Sequence, residues 1–457
     1  MCIRGVCAPS IVNAGALGEE GTAVTVERTA AQRQDWYLVT VLTLAGLLSS
    51  IDRSILSLVI GPIKEEFGIS DLQASALLGL SFSVLYGAFA IVAGHLADGV
   101  NRRALVSGGI LVWSAMEAAC GFARRYIELL LPRMGLGIGE ATLQPASFSM
   151  IRDAFPLRQR SLAFGLFQLG PFLGSGASLI LGAALLRWAN AGAFDAWPFA
   201  ERLSSWNWVL IATGVMGLPV AVLALTISEP KRSGGGSNHS ASFHEVMRHL
   251  AARWRLHLPL WGAMTLYSLA VAAESQWLPE AIARAWRIPL PEVGHVLGLT
   301  GCIAAPFGLL VSGRVTDFLA DKYGPVAVPR LAMYATAAAA GVTVALPFLE
   351  PRWAFAAYVI QSLLFSGFAV WGATALTIIS PVRQLGKLTA FYTIVQVIFG
   401  LGLGPSVAAF IATAFHSGPL AIGYGVIETF AVCVALGAIL MGWLTYEIDR
   451  AFPSVPH

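Results

Sequence analysis

"GHLADGVNRR", Gly94 to Arg103, closes one long apolar run and opens the next. Gly94 and Asp98 lie four residues apart, about one helical turn, just ahead of Arg102 and Arg103. A glycine there lets a neighbouring helix come close, and the aspartate can cap or pair with a helix end. The two arginines are expected to face an anionic membrane surface. Together these residues read as a latch, made in one conformation and broken in another. A plain cationic loop explains the arginines but not the glycine and aspartate in register. A weaker copy, "GRVTDFLADK", sets Gly313 and Asp317 four apart without the arginine pair.

The runs on either side of that loop belong to a series. Apolar stretches of about 20 residues, enough to span about 30 Å of hydrocarbon, occupy 36–60, 74–98, 103–122, 126–151, 160–186, 206–227, 256–283, 293–318, 327–349, 353–379, 386–414 and 420–446. Only 12% of the 457 residues are charged, 56% are hydrophobic, and the mean hydropathy is +0.70. A soluble chain of this length cannot bury so much apolar surface, so lipid is the expected solvent. A net charge of +3 gives no sign of nucleic-acid binding.

The longest polar break, 228–255, begins "SEPKRSGGGSNHS" and reads as a flexible linker. It divides the chain into a six-helix bundle over 36–227 and another over 256–446, with tails at 1–35 and 447–457. The halves repeat features: the two Gly/Asp pairs, and Gly170-Pro171 in the fifth span against Gly404-Pro405 in the eleventh. The expected fold is therefore an all-α membrane protein. Twelve transmembrane helices form two pseudo-symmetric six-helix bundles around a central cavity, as in secondary transporters built from repeats.

Lysine and arginine placement sets the orientation. Nineteen fall on the side of the N-terminus and eight on the other. Both termini are expected in the cytoplasm, with residues 1–35 a disordered tail that lacks the apolar core of an export signal. Of the five cysteines, Cys120, Cys302 and Cys433 lie in apolar segments, while Cys2 and Cys7 make neither a disulfide framework nor a zinc site. No phosphate-binding loop and no metal-ligand spacing is visible, so no cofactor, no metal and no enzyme activity is expected.

Against this background the charges inside the spans stand out. "SSIDRSIL", Ser49 to Leu56, sets Asp52 beside Arg53 in the first span. "LPRMGLGIGEA", Leu131 to Ala141, places Arg133 and Glu140 seven apart, two turns, on one face of the fourth. Gly135, Gly137 and Gly139 thin that helix for close packing. At 1.5 Å per residue, Asp52 lies about 12 Å and Arg133 about 10 Å from the same membrane face, with Glu140 about 10 Å deeper than Arg133. That predicts an Asp52–Arg133 pair, with Arg53 and Glu140 completing a network. Ionisable residues at such depth are by default pathway residues. An outward-snorkelling arginine is the bland reading of Arg133.

Glu274 and Trp371 are further cavity candidates in the second half, weighed against a residue near the mouth and ordinary aromatic packing. Glu117 and Glu428 lie nearer helix ends and read as structural. Pro171 and Pro405 allow helix bending.

The run "SSIDRSILSLVIGPIKEEFGISDLQASALLGLSFSVLYGAFAIVAGHLADGVNRR" with "GLGIGEA" resembles the spinster branch of the major facilitator superfamily, especially its bacterial members, most strongly over 36–180. The loop "GHLADGVNRR" is similar to the superfamily signature between the second and third helices. It departs at Gly99, where a basic residue is common, and at Asn101, where glycine is common. "LGPFLGSG" resembles a glycine-proline motif of proton antiporters. The resemblance implies an inner-membrane, proton-coupled transporter of amphiphilic lipids such as lysophospholipids or sphingoid phosphates. Its functional residues fall on Asp52, Arg53, Arg133 and Glu140. Membrane lipids surround it and a monomer is expected. A multidrug or small organic-anion antiporter of the same fold is the alternative. A membrane receptor or sensor would need a signalling domain that neither tail nor linker provides.

Overall fold

The computed structural model describes residues 31–197, 200–232, 243–381 and 383–451. Most of the expected N-terminal tail with Cys2 and Cys7, the centre of the linker and the last six residues lie outside them.

Twelve crossing elements follow one another. In the first half they are α1 (Arg33–Phe67), α2 (Asp71–Gly99), α3 (Arg102–Cys120), α4 in two pieces (Tyr126–Glu140 and Leu143–Ala154), α5 (Leu157–Asn190) and α6 (Ser205–Thr226). The second half has α7 (Trp254–Trp286), α8 (Leu290–Tyr323), α9 (Ala327–Phe348), α10 in two pieces (Pro351–Phe365 and Phe368–Ile379), α11 (Leu385–Phe415) and α12 (Ala421–Ala451). Ten of these are long and apolar enough to cross a membrane. The other two are α3, diluted by Arg103 and Glu117, and α4, which is broken after Glu140.

Local chemistry sets the ends. Gln32 and Asp35 form a reciprocal cap on α1, with the Gln32 amide donating to Asp35 Oδ2 at 2.8 Å. Gly68 ends that helix at φ 63°, where a Cβ is disfavoured. Ser70 and Gln73 cap α2 in the same reciprocal way. The break in α4 falls just ahead of Pro145, which has no N–H to give the carbonyl four residues back. There Thr142 gives Gly139 O its amide hydrogen at 3.2 Å and its Oγ1 hydrogen at 2.8 Å.

The polar linker is partly helical. Phe243–Ala252 forms a linker helix whose Val246 and Leu250 pack on Trp261 of α7 and on Leu388 and Phe391 of α11. The described parts of the linker and the start of α1 and end of α12 share one face of the molecule, called here the linker face. The other is the far face.

Three apolar cores divide the protein. One belongs to the N-terminal bundle, with Leu42, Ile110, Met150 and Phe167, and receives only Leu401 from the other half. A second belongs to the C-terminal bundle, with Leu260, Tyr267, Trp371 and Phe430. The third is shared: Ile55, Leu58, Ile63 and Trp206 join Trp277, Ala281, Ala408 and Ile422. All the shared residues sit toward the far ends of their helices, so the bundles fuse on the far face.

The inter-bundle crossings agree. A methyl on Gly176 of α5 would lie 2.6 Å from Cys302 N of α8, and one on Gly79 of α2 would lie 2.4 Å from Gly402 O of α11. Both α2 and α11 carry a π-turn at that crossing, Ala76–Leu80 and Gln396–Gly402. A π-turn inserts one residue and re-aims the helix face, and here the two inserted turns meet. Beyond it, Lys64 pairs with Asp71, Arg284 lies 3.6 Å from Asp71, and Arg284 Nε meets Glu280 at 2.6 Å. This seam of small residues and ion pairs closes the far face.

Candidate functional site

The site is built from one turn of α1. Successive helical residues point about 100° apart, so adjacent Asp52 and Arg53 address different neighbours. Arg53 shares its face with Ser49, four residues back, and bonds its carbonyl and hydroxyl oxygens at 3.4 Å each. Its Nε then reaches Glu140 Oε2 of α4 at 3.2 Å. Ser49 Oγ donates to the same Glu140 oxygen at 2.6 Å. The Arg53 guanidinium also lies over the Phe82 ring of α2, 5.5 Å from its centroid.

Asp52 turns the other way and is fully buried. Its neighbours are Trp113 and Glu117 of α3 and Arg133 and Glu140 of α4. Among the described residues neither of its carboxylate oxygens makes an ion pair or a well-aligned hydrogen bond, and the Trp113 indole is the donor beside it. The expected Asp52–Arg133 side-chain pair is therefore not made. Arg133 reaches the main chain of α1 instead, giving Nη1 to Asp52 O at 3.0 Å and Nη2 to Arg53 O at 3.4 Å. Its ion partner is Glu117 Oε2, at 3.4 Å. The two helices meet at the depth the arithmetic required, but a guanidinium offered both a carbonyl and a glutamate uses both. Nor does Arg133 snorkel: it is buried, 1% exposed.

Close glycine packing holds this arrangement. Methyls on Gly137 and Gly139 would lie 2.6 Å from Phe82 O and 2.7 Å from Gly109 O, so α4 can be no thicker against α2 and α3. On the other side α5 lies against α1, where a methyl on Gly170 would sit 2.3 Å from Thr43 O. Pro171 falls inside an unbroken α5 and packs on Gly46. Gly404 and Pro405 restart α11 after its π-turn, and Pro405 O accepts from Trp277 Nε1 at 2.9 Å.

A cavity of about 290 Å³ opens on the network. Ser49, Arg53 and Glu140 line it with Tyr86, Gln144 and Gln168, and Leu143, Phe167 and Phe172 form an apolar wall. It offers one accessible cation beside an apolar surface. Sequence reading took Glu117 as structural and passed over Ser49, Tyr86, Gln144 and Gln168. A lone acid in an otherwise apolar span was the signal available for Glu117.

The remaining candidates lie elsewhere. Glu274 lines a separate cavity in the C-terminal bundle. Trp371 lines neither cavity; it is buried in the C-terminal core and donates to Thr316 Oγ1 at 3.1 Å. Arg102, expected to face the membrane surface, is fully buried: it pairs with Asp153, reaches Glu229 Oε1 at 2.8 Å and Ser149 Oγ at 2.9 Å, and donates to Pro230 O. Arg103 uses its main-chain amide on Glu229 and its side chain on Ile227 O. Five donors in a fixed fork suit Arg102 to tying α3, α4 and the linker together. Methyls on Gly94 or Gly313 would touch nothing within 4 Å. Asp98 and Asp317 are exposed, and neither carboxylate forms an ion pair among the described residues, although Arg232 of the linker donates to the main-chain oxygens of Ala97, Asp98 and Val100. The close approach expected at the latch is thus not made in this conformation.

Twelve apolar crossings in two bundles, closed on one face and enclosing buried charge, define a multi-pass membrane transporter. The chain belongs to the Major Facilitator Superfamily, whose profile matches residues 42–405. It is 25% identical over 405 residues to the "Probable L-galactonate transporter" of Escherichia coli strain K12, covering 83% of each chain. It is 26% identical over 368 residues to the "Sphingosine-1-phosphate transporter SPNS2" of Danio rerio, covering 75% of this chain and 69% of that one. Among solved structures it shares the fold of a bacterial homolog of the human lysosomal transporter spinster, in an inward-facing and unoccupied conformation. The TM-score there is 0.78 at 23% identity, over 92% of this chain and 98% of that one.

Proposed function

We propose that the protein is a proton-coupled secondary transporter that works by alternating access and carries an amphiphile with an anionic head. The observation that carries this reading is the charge count of the buried cluster. Three carboxyl groups, on Asp52, Glu117 and Glu140, share the space with two guanidinium groups, on Arg53 and Arg133. Buried charge is tolerated when it is neutralised, so the cluster is neutral when it holds one proton. An anionic head group entering the cavity competes with Glu140 for Arg53. Glu140, released, takes a proton, and Ser49 keeps its carboxyl in place. Release of the substrate returns Arg53 to Glu140 and frees the proton. Asp52, which faces the Trp113 indole but makes no ion pair, is the second proton carrier. The apolar wall of Leu143, Phe167 and Phe172 receives the tail.

With the lysine and arginine bias, the linker face is cytoplasmic and both termini lie there, in a bacterial plasma membrane. Closure of the far face then makes the conformation inward-facing. Gly94, Asp98, Gly313 and Asp317 are latch residues whose contacts form when the linker face closes. The unit is a monomer and catalyses no covalent chemistry. A head group shared by sphingosine-1-phosphate and lysophospholipids suits the single accessible arginine. Similarity to a protein named for galactonate favours, as a second reading, antiport of a small organic anion.

Both are tested by uptake into proteoliposomes of a lysophospholipid and of galactonate, with and without a pH gradient. Glu140→Gln is expected to abolish pH-gradient-driven uptake while leaving substrate exchange at equal pH. Unchanged gradient-driven uptake in that variant sinks the coupling proposal. Galactonate uptake without lysophospholipid uptake selects the second reading.

A further inference from the structure

The C-terminal bundle holds a cavity of its own, also about 290 Å³. It lies between the far ends of α7, α9, α10 and α12, and no residue of the N-terminal bundle lines it. Its walls are apolar and aromatic, with Trp286, Phe355, Tyr358, Tyr424 and Phe430. Glu274 is the one charged residue on them.

That carboxylate is unlike those of the first site. Its partner is Gln361 of α10, whose Nε2 donates to Glu274 Oε1 at 2.6 Å. Gln361 is fully buried behind the cavity wall and holds the carboxylate in place. Among the described residues no lysine, arginine or histidine comes within ion-pair distance of Glu274. The carboxylate thus stands in an apolar wall with no cation beside it.

The cavity is not the counterpart of the first one: α7, α9, α10 and α12 correspond to α1, α3, α4 and α6, whereas the first cavity lies among α1, α2, α4 and α5. The first cavity presents Arg53 beside Glu140, and this one presents a carboxylate with no cation. The preferred ligand charge is set by that lone carboxylate.

We propose that this cavity is a second binding site, specific for an organic amine with an apolar body, whose ammonium group pairs with Glu274 while the aromatic walls hold the rest. An ammonium has three donors and no acceptor, which matches a carboxylate that has no cation of its own. Aromatic faces add cation–π attraction in a desolvated pocket. The small volume selects one short chain or ring rather than a two-chain lipid.

The test is equilibrium binding to the full protein in phosphatidylcholine nanodiscs, using 4-phenylbutylamine with 4-phenylbutanol and 4-phenylbutanoate as the neutral and anionic isosteres. The amine is expected to bind saturably and about tenfold or more tighter than either isostere, and Glu274→Gln to remove that preference. Gly423→Leu supplies a variant that leaves the carboxylate in place. A methyl at Gly423 meets only Ala281 Cβ, at 4.0 Å, so a larger side chain fills the cavity. It is expected to abolish amine binding in protein that stays monodisperse. Arg53→Ala is expected to keep amine affinity within about twofold, because that residue lies in the other bundle. Equal binding of the three isosteres overturns the proposal. So does full amine binding in Glu274→Gln or Gly423→Leu, and so does its loss in Arg53→Ala, which would place the amine in the first cavity.

Discussion

At the scale of single residues, Arg133 is the strongest constraint on the first site. Three of its contacts converge on α1 and α3: two carbonyls and the Glu117 carboxylate. Arg133→Ala leaves Glu117 buried without its cation and two carbonyls without a donor. Removing one member of a buried pair costs about 3–5 kcal/mol, so thermal unfolding in nanodiscs is expected at a clearly lower temperature. Arg133→Lys should recover only part, since an ammonium cannot span all three acceptors in one plane. Recovery of full stability by lysine would show that charge alone matters there. This residue also marks how far sequence carried the site. Depth arithmetic put Arg133 level with Asp52, and the helices do meet there. The partner was not legible, because spacing along a helix fixes depth and face but not which of several acceptors a guanidinium takes. Glu117 was misread for a related reason. Its place near a helix end suggested a structural role, and nothing in the spacing showed that α3 turns it toward Arg133.

At the scale of elements, the linker helix is the case where composition misled. Its polar surroundings read as a flexible connection, yet Val246 and Leu250 dock Phe243–Ala252 on the linker-face ends of α7 and α11. Docking brings His249 Nε2 to 3.1 Å from His257 Nε2. Burial, and then the nearby Arg253, hold the His249 imidazole below its ordinary value of 6.5. The docked state therefore binds fewer protons than the undocked one. The docking stability is fully present above the undocked value and falls as pH drops below about 6.5 toward the lower docked value. Two imidazolium rings at that separation would also repel. Hydrogen exchange of the linker-helix amides, corrected for intrinsic rates, is expected to speed up several-fold between about pH 7.5 and about pH 5.5. His249→Asn should flatten that dependence. An unchanged exchange rate across the range in the wild-type protein would exclude the histidine contact as a docking determinant. The twelve apolar crossings, by contrast, were readable because each must cross the same thickness of hydrocarbon. The break in α4 was missed although Pro145 marks it, a proline in the first turn of a helix having no N–H for the carbonyl four residues back.

At the scale of the whole molecule, the conformation rests on the shared far-face core and the seam beside it. Next to that core the bundles touch through small residues, Gly176 with Gly298 and Cys302, and Gly79 with Gly402, and through the Lys64–Asp71–Arg284–Glu280 ion pairs. Glycine contacts of this kind tolerate no added volume, because the nearest atoms are backbone. A leucine at Gly176 must therefore either distort α5 or part the bundles. Over-packing costs about 1–3 kcal/mol, and a bias of that size moves a two-state equilibrium by about 5–150-fold. Each bundle has its own core and would move as a unit, so parting is the expected response. Spin labels at Glu201 and Glu350, one on the far face of each bundle, should move apart in Gly176→Leu. Labels at Asn101 and Lys322, on the linker face, should come together as Gly94 and Gly313 reach the close approach they lack here. If instead both distances hold and only the unfolding temperature falls, the seam is ordinary packing and the two faces are not coupled through it. If the far face opens while the linker face stays apart, the latch and the seam act independently, and alternating access would need another link between them.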